Sequence, residues 1–115
     1  MALTTNLQSE TADICNVTFG QVVTDAGAAA VTTLGPFGFI PRYVQWVNRT
    51  SLVMLEWFEG MAANTAIRTT AAGVRTLDVS NGITLGTVAA GTAGTFSVNA
   101  TDIPVSSSFS WKAIG

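Results

Sequence analysis

Residues Pro41–Gly60, PRYVQWVNRTSLVMLEWFEG, form the longest apolar and aromatic passage in the chain and hold two of its three tryptophans. Asn48-Arg49-Thr50-Ser51 divides it into two runs rich in Val, Leu, Trp, Tyr and Phe, residues that suit a pleated, half-buried surface. The stretch predicts a β-hairpin. Pairing Val47 with Leu52 places Val44, Trp46, Val53, Leu55 and Trp57 on one face, the candidate core. The opposite face carries Tyr43, Val47, Leu52, Met54 and Phe58 together with Gln45 and Glu56. A slip of one residue would set Val44 against Glu56 and spoil the apolar face, so the pattern specifies the register. The second face is only partly polar, which predicts that something covers it too.

The remaining chain reads as short strands. Ile14–Thr24 is one, Ala28–Leu34 a second, and the Gly- and Pro-rich loop Gly35–Pro41 feeds the hairpin. Between Met61 and Ser80 the threonines favour a strand pair broken near Ala71-Ala72-Gly73 over a short helix. Asn81-Gly82 is the sequence signature of a two-residue hairpin turn, expected to join Val74–Ser80 to Ile83–Val88. Thr95–Asn99 and Ser107–Ile114 complete about eight strands, with a bend at Asp102-Ile103-Pro104. The expectation is an all-β, single-domain antiparallel β-sandwich or small barrel, with a jelly roll among the options. The domain spans residues 14–115, and polar residues 1–13 are read as an N-terminal arm or strap.

Composition narrows the function. Of 115 residues only 10% are charged, against about 25% in a typical soluble domain. A surface of Thr, Ser, Ala, Asn and Gly in place of ions suits a protein packed against neighbours. Five basic residues stand singly, so no basic patch points to nucleic acid. No run of about 20 apolar residues suggests a membrane helix. The start lacks a charged region followed by an apolar one, so synthesis in a cytoplasm is expected. Cys15 has no cysteine partner in the chain and reads as a small filler.

The search for chemistry returns little. Without histidine there is no Ser-His or Cys-His nucleophile and no imidazole metal site. No phosphate-binding or calcium loop occurs, and no cofactor is expected. Glu56 and Glu59 are the nearest to a glycosidase pair, but three residues apart on a strand they point to opposite faces. The triplets Asn16-Val17-Thr18, Asn48-Arg49-Thr50 and Asn99-Ala100-Thr101 match the glycosylation acceptor, a match that a Thr-rich chain produces by chance. Trp and Tyr43 on a β-face could stack on sugars, although alternation with Val and Leu favours a core role. Trp111, beside Ser110 and Lys112, is a candidate interface anchor.

The runs GFIPRYVQWVNRTSLVMLEWFEGM, TAIRTTAAGVRTL and SNGI, with the closing SFSWKAIG, resemble small β-rich virion proteins of tailed bacteriophages, of the head-decoration or cement type. The similarity covers Gly35–Gly82 and the last eight residues. It implies a protein on the virion's capsid surface that binds the major capsid protein and further copies of itself, with a trimer as the analogy. Tyr43, Val47, Leu52, Met54, Phe58 and Trp111 would then form the interface. Two alternatives remain: another virion part (tail, minor capsid or head-fibre base), or a carbohydrate-binding module.

Overall fold

A computed structural model of the chain describes residues 16–28 and 30–115. The arm assigned to residues 1–13, the start of the first strand, and Cys15 lie outside the described residues. Among the described residues eight strands make one antiparallel sheet: β1 (Val17–Val23), β2 (Thr32–Leu34), β3 (Tyr43–Asn48), β4 (Met54–Phe58), β5 (Thr65–Thr69), β6 (Arg75–Leu85), β7 (Phe96–Val98) and β8 (Ser108–Ile114). Their order is β1-β8-β3-β4-β5-β6-β7-β2, and the sheet curls into a half-barrel around one core. The expected all-β antiparallel fold is therefore present as one open, curled sheet with β1 and β2 at its edges. A 3-10 turn, η1 (Ala100–Asp102), links β7 to β8.

Alternation along the strands builds the core. On β3 and β4 every second residue is buried, which puts Val44, Trp46, Leu55 and Trp57 on the concave side. Val53, just before β4, is half-buried. Across the sheet Trp111 pairs with Trp46, and Trp46 with Leu55, so these side chains share that side. Trp46 stacks on Phe109 with ring centroids 4.9 Å apart. Phe96, Val98, Ile83 and Ile103 fill the far wall. Burial of each such large side chain stabilises the fold by roughly 1.5–3 kcal/mol. The Gly35–Pro41 loop lays Phe37 across the barrel mouth, 5.5 Å from Trp111 and 5.9 Å from Phe96 between centroids.

The hairpin register differs from the expectation by two residues. Val47 pairs with Met54, and Val44 with Trp57. The cause lies in the turn. Asn48 N–H donates to Val53 O at 2.8 Å, and Leu52 N–H to Asn48 O at 2.8 Å, so residues 49–52 form a four-residue loop. Asn48 Oδ1 accepts from the N–H groups of Thr50 and Ser51 at 2.8 and 3.0 Å, holding that loop from within. An offset of two keeps every side chain on its face, because the side-chain period is two.

Asn81-Gly82 is not a hairpin turn. It lies inside the continuous strand β6, whose pairing with β5 jumps from Ala66↔Asp78 to Thr65↔Ile83. Residues 79–82 form a bulge between two ladders, one to β5 and one to β7. Side chains stabilise it. Asp78 Oδ1 accepts from Ser80 and Asn81 N–H, each at 2.9 Å. Asn64, at φ 58°, accepts from Gly82 N–H through Oδ1 and donates from Nδ2 to Ser80 O at 2.6 Å. Tertiary hydrogen bonds thus override the local turn preference. The strand pair expected around Ala71-Ala72-Gly73 is present as β5 and β6, with Gly73 at φ 88°.

Candidate interaction surface and a buried charge cluster

The convex side of the sheet presents three side-chain rows. Val17, Ile114, Tyr43 and Phe58 form one. Phe19, Lys112, Gln45, Glu56, Ile67 and Leu77 form the second. Gln21, Ser110, Val47, Met54, Thr69 and Arg75 form the third. Four residues picked from the sequence, Tyr43, Val47, Met54 and Phe58, meet here. Tyr43 and Phe58 touch with centroids 4.9 Å apart. Leu52 stands apart at the hairpin tip, 65% exposed, with φ 65°.

Trp111 does not belong to this surface. It is 9% exposed and packs inward against Phe37 and Phe96. The reason is register: its neighbour across the ladder is Trp46, on the core side, whereas Ser110 and Lys112 face out.

Polar groups tie the middle of the convex face together. Tyr43 Oη donates to Glu56 Oε2 at 2.7 Å, and Arg75 Nη2 lies 3.2 Å from Glu56 Oε1. Lys112 Nζ sits 5.9 Å from the Tyr43 ring centre. Partial burial, and then the Glu56 carboxylate, push the Tyr43 phenol well above its ordinary value. Glu59 instead pairs with Arg42 at 3.3 Å. The two glutamates therefore have separate partners. Apolar residues flank this polar strip: Phe19 is 73% exposed and Leu77 63%.

The concave side holds a charge cluster that sequence reasoning missed. Arg68 pairs with Leu55 across the ladder and so points inward. Its Nε and Nη2 donate to Asp78 Oδ2 at 3.2 and 2.9 Å. Nη2 also lies 2.6 Å from Asp102 Oδ1. Trp46 Nε1 donates to Asp102 O at 3.3 Å, anchoring η1 on the core. The three charges come from β5, β6 and η1, and no sequence spacing links them. Burial raises the Asp102 carboxyl above its usual range, with Arg68 pulling the other way. The Ser80 and Asn81 N–H groups, with Arg68, lower Asp78. Burial alone would lower Arg68, but Asp102 and Asp78 outweigh it and raise the guanidinium.

Among the described residues no group of three His, Cys, Asp or Glu side chains is placed to hold a metal, and no helix is long and apolar enough to cross a membrane. Comparison with protein families, curated proteins and solved structures gave no match.

Proposed function

We propose that this protein is a head-decoration, or cement, protein of a tailed bacteriophage, binding the outside of the capsid and bridging neighbouring capsid subunits. The observation that carries the reading is the convex sheet face, where Phe19, Leu77 and Phe58 stand exposed around a polar strip. The low charge fraction and the resemblance to small virion proteins agree with it. In this reading the protein is structural rather than catalytic, with the major capsid protein and further copies of itself, in a trimer, as partners.

A position elsewhere in the virion uses the same face. The sugar-binding alternative is less favoured, because Trp46, Trp57 and Trp111 all lie on the core side and leave no indole platform. The test is co-sedimentation with heads of the encoding phage prepared without this protein. Wild type should saturate the heads, and Phe19→Asp with Leu77→Asp, the two most exposed apolar residues named here, should abolish uptake while leaving the melting temperature nearly unchanged. Failure of the wild type to bind heads would sink the reading. Light scattering after size exclusion tests the trimer separately.

A further inference from the structure

β1 and β2 are the two edges of the curled sheet, and they are unlike. β2 is three residues long and runs directly into Gly35-Pro36, which ends it. β1 follows β8 for seven residues in unbroken register, with no bulge, proline or charged residue in it. An edge strand carries a row of open backbone groups, and proteins that stay apart in solution shorten, bulge or charge such strands. β1 has none of these devices.

The phase of the β1–β8 ladder identifies the open groups. Thr24 N–H donates to Ser107 O at 2.9 Å, and Gly115 N–H donates to Asn16 O at 2.7 Å. Hydrogen-bonded pairs alternate along an antiparallel ladder, so Thr18, Gly20 and Val22 are the β1 residues that bond to β8. The N–H and C=O groups of Val17, Phe19, Gln21 and Val23 therefore point away from the sheet. No described residue bonds to them. The side chains of the same four residues lie on the convex side, where Phe19 is 73% and Val23 72% exposed. Open backbone groups and exposed apolar side chains thus share one line.

We propose that β1 is a self-association edge, pairing antiparallel with β1 of a second copy about a two-fold axis at Gly20. In that register Val17 meets Val23 of the partner subunit, and Phe19 meets the partner's Gln21. All four outward residues of each copy then exchange both backbone bonds. A shift of two residues would set Val17 against Asp25, outside the strand. The occupant follows from the chemistry of the edge. Alternating open N–H and C=O groups are satisfied by an extended main chain, as in β-strand addition. Because β1 carries no charge, a second β1 meets no like-charge repulsion, and the two-fold makes every contact twice. Phe19 and Val23 gain cross-strand neighbours, with the Phe19 rings of the two copies diagonal to each other. The axis stands perpendicular to the sheet, so both convex faces look the same way. This contact needs no capsid and stands independently of the capsid reading.

The test is light scattering after size exclusion on the full chain over a range of concentrations, together with amide hydrogen exchange followed by NMR. The Val17, Phe19, Gln21 and Val23 amides should be protected at high concentration and lose that protection on dilution. Two double variants check the register. Phe19→Lys with Gln21→Lys sets like charges opposite each other across the two-fold and should halve the mass, whatever other contact the chain makes. Phe19→Lys with Gln21→Glu sets Lys against Glu in the same positions and should keep the wild-type mass. Both pairs replace the same exposed side chains, so loss of the Phe19 ring does not distinguish them. Gln21→Pro removes an outward N–H that the single chain leaves unused, a position where an edge strand tolerates proline, and it too should halve the mass. Equal masses for the two lysine variants would overturn the proposal. So would rapid exchange of the four amides at every concentration, or protection in a monomer that dilution leaves unchanged, which would mean that the edge is covered within its own chain.

Discussion

Gly20 lies directly beneath the indole of Trp111: a Cβ built on Gly20 would overlap Trp111 Cζ2 and Cε2. The two residues pair across β1 and β8, and both face the core. Gly20 has ordinary strand geometry, so what it supplies is the absence of a side chain. That lets the indole lie on the β1 backbone and meet Phe37 and Phe96 beyond. Gly20→Ala should force Trp111 off this position and cost about 1–3 kcal/mol, the usual range for overpacking a filled core. Urea denaturation measures the loss, and the Trp111 indole resonance should move more than those of Trp46 and Trp57. An unchanged Trp111 signal would refute this packing.

Gly82 sits in the β6 bulge with its Cα against the carbonyl group of Thr65, where a Cβ would overlap the backbone itself. Backbone cannot swing aside as a side chain can. Gly82→Ala should therefore destabilise by about 2–3 kcal/mol through overpacking, and should release the Asn64 bonds to Ser80 O and Gly82 N–H. Gly60→Ala is the contrasting case. Space around Gly60 is open, but its φ is 97°, so only a conformational cost of about 1 kcal/mol is expected. Equal unfolding free energies for the two variants would contradict the bulge geometry.

Asp78 holds the bulge from the other side, accepting two backbone N–H groups and the Arg68 guanidinium. Asp78→Ala should cost about 2 kcal/mol near neutral pH, the scale of hydrogen bonds to a charged group. The sign of its pH dependence follows from its depressed pKa. Asp78's stabilising contribution is full above the unfolded value of 3.8 and disappears as pH falls through the lower folded value. Chemical denaturation from pH 7 to pH 2 should show wild type and variant differing by a constant amount until about pH 4, then converging. A gap that widens in acid would contradict the assignment.

The sequence by itself determined the all-β class, most of the strand list and the two faces of the central hairpin. Alternation is a local property, and Val44, Trp46, Leu55 and Trp57 carry it without ambiguity. A two-residue register error left it intact for the same reason. Other features depend on what lies across space. Asn81-Gly82 has the local chemistry of a turn, yet Asn64 and Asp78, distant in sequence, hold it as a bulge within one strand. Trp111 has polar neighbours in sequence, but pairing with Trp46 turns it inward. The Arg68–Asp78–Asp102 cluster assembles from three elements whose separation in the chain carries no signal. Side-chain period is written residue by residue, whereas strand order, and with it the meeting of Arg68 with Asp102, is fixed only when the whole sheet closes on its core.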